Sequence, residues 1–294
     1  MPLTCIAVDW SGALRGARRK IWLAEAREGR LVRVECGRSR EEVVEHLAVE
    51  IPHERLAVGL DFAFSMPEWF VREQGASRAV DLWPLVARHA EAWLRDCKPP
   101  FWGRRGRPRP PIDDERSPFR RTEGEHTPVA GIRAKSVFQI GGAGAVGTGS
   151  LRGMPHLARL RSAGFAIWPF DPPEPPLALE IYPRLLTGAI PKRSRVARDL
   201  YLASRAPDLP AELRAHAAST EDAFDAAVSA LAMARHLAPE RLALSRHPSD
   251  AIEGRIWSCA VDPLAGCHPG RSVSAPSPAR GEGLPDAREP PARG

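Results

Sequence analysis

The chain has no run of about 18 consecutive apolar residues, so no stretch of it is long enough to cross a bilayer as a helix. Its first residues lack a basic segment followed by an apolar stretch and a small-residue cleavage site, which points away from a secretory leader and toward a cytoplasmic protein with no membrane partner. Cysteine is scarce. Cys5, Cys36, Cys97, Cys259 and Cys267 are odd in number, far apart and without a Cys-x-x-Cys pair, which excludes a disulfide framework and leaves reduced structural thiols. A His/Cys cluster is also missing, which argues against zinc.

What the chain does have is a core and an uneven charge. At 294 residues and 43% hydrophobic content it can bury a substantial interior. The net charge of +6 is concentrated: Arg95 to Lys135 holds eleven Lys/Arg against six Asp/Glu. Within that window Phe101-Trp102-Gly103-Arg104-Arg105-Gly106-Arg107-Pro108-Arg109 sets two aromatics beside four arginines. That composition suits phosphate pairing by Arg104, Arg105, Arg107 and Arg109 with base stacking beside them. The competing reading is a solvated basic loop in an arginine-biased chain.

Along the chain, apolar runs and turn residues predict strands at 3–9, 20–24 and 31–35, forming a meander. Ser39 caps a predicted helix carrying Val43, Val44, Leu47 and Ala48 and stopped by Pro52. The run 56–62 is apolar without alternation, as in a strand buried on both faces of a parallel sheet. From about 65 to 176 the rhythm breaks: helices near 67–74 and 81–95, the Arg/Pro stretch, a strand at 136–140, a glycine-rich loop at 141–149 and a strand at 165–168. Regular structure resumes with a strand at 177–182 and helices at 194–204 and 220–237, the last capped by Ser219. Residues 259–294 are rich in Pro and Gly and poor in large apolar side chains, the composition of a disordered tail.

The order β-β-β-α-β, insertion, β-α-α matches the ribonuclease H-like α/β fold: a mixed five-stranded sheet flanked by helices, here with a large insertion between the fourth and fifth core strands. One such domain then spans 1–258, with the insertion at about 65–176. Strand neighbours in that order bring acids together. Asp9 ends the first apolar run, Asp61 the fourth strand, Glu180 sits in the fifth, and Asp222 and Asp225 share one face of the last helix. Taken singly each has an ordinary explanation: an Asx-turn for Asp9, dipole compensation for Asp222 and Asp225, an ion pair for Glu180. Taken together, buried carboxylates need a shared cation, and a divalent metal is the natural one. Arg121, Lys135 and Arg184 are candidate phosphate contacts, although no spacing rule singles them out.

Gly142-Ala143-Gly144-Ala145-Val146-Gly147 has the form of a dinucleotide fingerprint. Gly149, Gly153 and Pro155 delay the predicted helix to about Pro155, which removes the third glycine from a helix start and argues against a dinucleotide. A flexible or phosphate-contacting loop is the better expectation.

Six motifs carry a resemblance: Asp9-Trp10-Ser11-Gly12, Leu60-Asp61-Phe62-Ala63-Phe64-Ser65-Met66-Pro67, Lys135-Ser136-Val137-Phe138-Gln139-Ile140-Gly141-Gly142, Glu180-Ile181-Tyr182-Pro183, Glu221-Asp222-Ala223-Phe224-Asp225-Ala226 and Glu253-Gly254-Arg255-Ile256-Trp257. Together they resemble the bacterial domain-of-unknown-function family 429, over residues 4–257. The resemblance implies a nuclease with a ribonuclease H-like fold. On that basis Mg²⁺ or Mn²⁺ hydrolyses a phosphodiester of DNA or RNA, through two ions about 3.5–4 Å apart. Asp9 bridges the ions, Asp61 and Asp225 each bind one, and Asp222 and Glu180 are further ligands or water-positioning groups. Two other classes stay open: an ATP-dependent phosphotransferase cradling phosphate in the glycine-rich loop, and a non-catalytic nucleic-acid-binding protein whose acids are structural.

Overall fold

A computed structural model describes residues 3–50, 55–111, 114–129, 131–244 and 247–259. The proposed tail beyond Cys259 and the helix stop at Pro52 lie outside the described residues. The strands are β1 (Thr4–Asp9), β2 (Trp22–Arg27), β3 (Arg30–Cys36), β4 (Leu56–Leu60), β5 (Ala166–Ile167), β6 (Leu177–Ile181) and β7 (Ile256–Trp257). They form one mixed sheet in the order β3-β2-β1-β4-β6-β5, with β7 also on β6. β1, β2 and β3 run antiparallel as a meander, while β4 lies parallel to β1 and β6 parallel to β4.

The sheet has seven strands rather than five. β5 pairs with Leu177 and Ala178, β7 with Glu180 and Ile181, so two two-residue strands share the edge of β6 that faces away from β4. Neither is long enough to stand out as a periodic pattern.

Strand alternation divides the interior into two cores. Ile6, Val8, Val58 and Leu60 face the segment 65–176, packing with Trp83, Leu94, Phe138, Leu151 and Leu157. Cys5, Ala7, Ala57, Leu177 and Leu179 face the Glu221–His236 helix, whose Ala223, Ala226, Ala227 and Ala230 are fully or almost fully buried. Small side chains let this helix lie close to the sheet. At Gly59 an added Cβ would stand 2.6 Å from Met233 Sδ and 2.9 Å from Ile181, a clash that only glycine avoids.

Ser39 caps the Arg40–Glu45 helix as expected, its side chain accepting from the Glu42 N–H while the Glu42 carboxylate accepts from the Ser39 N–H. The Glu221–His236 helix is capped by Thr220 instead of Ser219, its hydroxyl accepting from the Ala223 N–H at 3.0 Å. Two further expectations need correction. Residues 136–140 form no strand: Val137, Phe138 and Ile140 are buried in a turn, and the Phe138 ring packs against Trp69, Phe70, Phe101 and Trp102. The helix predicted from about Pro155 starts at Gly147 and runs through Pro155 to Ser162. Burial of Leu151, Met154, Leu157 and Leu160 offsets the roughly 3 kcal/mol that an internal proline costs. Gly153 is a packing device there, since a Cβ would meet the Phe62 ring at 2.6 Å. Gly147 therefore does open a helix; what the dinucleotide motif lacks is the strand before it.

His156 on that helix is buried edge-on against Trp10, with ring centroids 5.7 Å apart, and its Nδ1 has no partner among the described residues. Burial pushes its pKa down to about 4, against a weak pull from Glu41. The neutral ring therefore stabilises the fold at any pH above the unfolded value near 6.5, and that stability is lost as pH falls through about 4. His156→Leu is expected to flatten this acid limb by up to about 3 kcal/mol, read from urea midpoints at pH 7 and pH 4.5. An acid limb of unchanged depth would assign it to other groups.

Candidate active site

The carboxyl ends of parallel strands are where open α/β sheets place their ligands, and the acids gather there. Val8 pairs with Leu60, and the Asp61 N–H donates to the Val8 carbonyl at 3.0 Å. One residue further along this ladder Asp9 and Asp61 stand side by side, on strands about 4.8 Å apart. Counting back by even steps, Asp9 follows Cys5 and Ala7, and Asp61 follows Ala57 and Gly59. Both acids thus point to the face covered by the Glu221–His236 helix, which carries Asp222 in its first turn and a buried Asp225.

Electrostatics ties these four together. Asp9 is held well above the ordinary carboxylate range, first by burial and then by Asp61, Asp225 and Asp222. Asp61 is pushed up to about 8 by burial, then Asp225, with Glu180 and Asp222 adding. Burial raises Asp225 and Asp222 as well. Among the described residues, Lys192 is the cation that opposes all four. Its Nζ donates to Asp225 Oδ2 at 2.5 Å, while Asp225 Oδ1 is buried with no partner among the described residues.

Glu180 goes elsewhere. It alternates with Leu179 and Ile181, so it projects through the opposite face of the sheet. Arg120 meets it there, NH1 on Oε2 at 2.8 Å and NH2 on Oε1 at 2.5 Å, and the Phe64 N–H donates to Oε2 at 2.9 Å. The same guanidinium holds Glu123 at 2.6 Å. With both oxygens taken, Glu180 is an ion-pair partner of Arg120, and it lines a small cavity together with Asp61 and Lys135.

A cleft of about 760 Å³ opens over the acids, lined by Asp61, Asp225, Lys135, Arg184, Lys192 and Arg193, with the Ala143–Val146 backbone along one wall. Lys135 lies over the glycine-rich loop, its chain 3.5 Å from where a Gly144 Cβ would stand. Arg184 turns its NH1 to the carbonyls of Gly188 and Ile190, shaping the loop that bears Lys192. Arg121 is committed to structure: it pairs with Asp250 at 2.5 Å and with Glu125, and its Nε donates to Ser249.

In the basic segment, Arg104, Arg105, Arg107 and Arg109 are all exposed, and the Arg109 guanidinium stacks 5.5 Å from Trp102 and 5.1 Å from Phe119. The four lie outside the lining of the acid cleft. If they contact duplex DNA, replacing all four with Ala lowers the salt slope of binding by about 0.9 per lost phosphate contact, with folding almost unchanged. An unaltered slope in a salt titration would mark the segment as a solvated loop.

Lys192 and Arg120 escaped the sequence reading. A signal for the first existed: of 42 basic residues only Lys20, Lys98, Lys135 and Lys192 are lysines, and two of these line the cleft while Lys20 acts on Asp222. A chain that uses arginine almost everywhere keeps compact ammonium charges around its carboxylates.

The donor set is all carboxylate oxygen, the chemistry of a hard divalent ion. Asp225 Oδ1 is buried without a partner among the described residues, whereas no three His, Cys, Asp or Glu side chains among them are placed to hold a metal ion as they stand. Comparison of the chain with protein-family models, curated proteins and solved structures returns no match in any of the three.

Proposed function

We propose that the protein is a divalent-metal-dependent phosphodiesterase acting on nucleic acid, with a ribonuclease H-like fold and a kinship to family 429. The observation that carries this is the pair Asp9 and Asp61 at the ends of adjacent parallel strands, coupled to Asp225, with Asp61 and Asp225 lining a cleft that also holds Glu221 and the cations Lys135, Arg184, Lys192 and Arg193. Asp9, Asp61 and Asp225 would hold Mg²⁺ or Mn²⁺, with Asp222 close enough to bias them. Bound there, a divalent ion would make an attacking water more acidic and offset negative charge on the phosphate. Lys135, Arg184 and Arg193 would bind the substrate phosphate and hold it against the acids. Water oxygen forms the new bond to phosphorus as the ester bond breaks, and the proton the water gives up to solvent is matched by the one the departing alkoxide takes from it.

The Ala143–Val146 backbone in the same cleft favours one second assignment, an ATP-dependent phosphotransferase with this loop as its phosphate cradle. The test is incubation of the full chain with labelled DNA and RNA oligonucleotides in Mn²⁺, Mg²⁺ or EDTA, with and without ATP. Metal-dependent cleavage that Asp61→Asn abolishes is the expected result. Transfer of the γ-phosphate without cleavage would select the phosphotransferase, and turnover insensitive to EDTA would overturn both.

A further inference from the structure

Lys192 lies in the loop between the Pro183–Thr187 and Arg195–Arg205 helices, and it is about nine-tenths buried against Asp225. Its placement is fixed from three sides. Arg184 holds the carbonyls of Gly188 and Ile190 just before it. The buried Arg198 donates to the Lys192 carbonyl itself. That guanidinium also donates to the carbonyls of Ala218 at 3.0 Å and Ser219 at 3.2 Å, immediately ahead of the helix bearing Asp222 and Asp225. One clamp thus sets both the lysine and the carboxylate it meets.

We propose that the Lys192 ammonium is the permanent second cation of this carboxylate cluster, so that the site accepts a single divalent ion, held by Asp9, Asp61 and Oδ1 of Asp225. The proposal rests on the metal-binding assignment above and replaces the two-ion arrangement that the family resemblance implies. An ion pair about 3.5–4 Å apart needs carboxylates whose oxygens can be shared between metals. Here Asp225 divides its two oxygens unequally: Oδ2 takes a 2.5 Å bond from the ammonium and Oδ1 is buried without a partner. An ammonium has no lone pair for coordination, so it occupies the position of a cation while contributing no ligand. A second divalent ion on Oδ2 would stand within a few ångströms of that charge. The consequence for catalysis is that charge opposite the metal is a fixed protein group, present before substrate arrives, which costs no reorganisation at the moment of reaction.

The experiment is calorimetric titration of Mn²⁺ into the full-length protein, comparing wild type with Lys192→Met and Lys192→Arg, alongside melting of each in EDTA. Wild type and Lys192→Arg are expected to bind one ion per chain. Lys192→Met, with the long side chain kept and the charge removed, is expected to bind two and to melt lower in EDTA because its carboxylates have lost their cation. Two ions in wild type, or one ion of unchanged affinity in a folded Lys192→Met, would overturn the role of the lysine while leaving metal binding intact. No ion in any of the three proteins would instead sink the metal assignment itself.

Discussion

Asp61→Asn is expected to melt higher than wild type in EDTA and to gain nothing from Mn²⁺. The first half follows from the price of holding a carboxylate in this cluster. Burial and neighbouring acids place the Asp61 pKa at about 8, against about 3.9 in an unfolded chain. Folding therefore takes up a proton across the interval between those values. The associated stability is fully present below about pH 4 and declines as pH rises through about 8. At neutral pH the metal-free protein carries this penalty, and a neutral amide relieves a share of it on the order of 2–3 kcal/mol, or about 4–12 °C in melting temperature for a domain of this size. The second half reverses the sign. A metal binds the ionised acids, so Mn²⁺ should stabilise wild type increasingly from pH 5 to pH 8.5, and Asp9→Asn or Asp61→Asn should abolish the gain. Equal stabilisation of wild type and both variants by Mn²⁺ would separate these carboxylates from any metal site.

The convergence of Asp9, Asp61 and Asp225 was legible because it depends on features that sequence displays directly. An apolar run ending in an acid marks a strand end, and a helix rich in alanine marks close packing against a sheet. The parity of Glu180 was harder to read. Leu177-Ala178-Leu179-Glu180-Ile181 is buried on both faces, so the alternation that would have sent Glu180 away from Asp61 is masked by apolar residues at every other position. The glycine-rich segment misled for a different reason. Helix propensity makes Gly149, Gly153 and Pro155 poor helix residues, yet contacts distant in sequence decide the outcome: a Cβ on Gly12 would stand 2.5 Å from the Gly149 nitrogen, and Gly153 makes room for Phe62. Phe138 likewise lies in an apolar run that is a turn, because an aromatic cluster, rather than a ladder of hydrogen bonds, buries it. Pairings such as Arg120 with Glu180, sixty residues apart, leave no local pattern at all.

That pairing carries the second large effect. Arg120, Glu123 and Glu180 are all almost completely buried, so one guanidinium is shared between two carboxylates that have little access to bulk water. Burial already lifts Glu123 to about 7 despite the arginine beside it. Arg120→Met would leave both acids unpaired, and removing one partner of a buried ion pair typically costs 3–5 kcal/mol. A fall in melting temperature of roughly 10 °C or more is expected at neutral pH. The loss should shrink as pH is lowered, since protonated glutamates no longer need the cation. Adding Glu123→Gln and Glu180→Gln to Arg120→Met should restore much of the stability, because the costly state is the unpaired charge and not the absence of the pair. A drop of under 1 kcal/mol in the single variant would show that water reaches the site and that the triad is dispensable. Mn²⁺ titration of Glu180→Gln completes the assignment. Since Glu180 projects through the other face of the sheet, its metal affinity should match wild type, whereas a tenfold loss would return Glu180 to the ligand set.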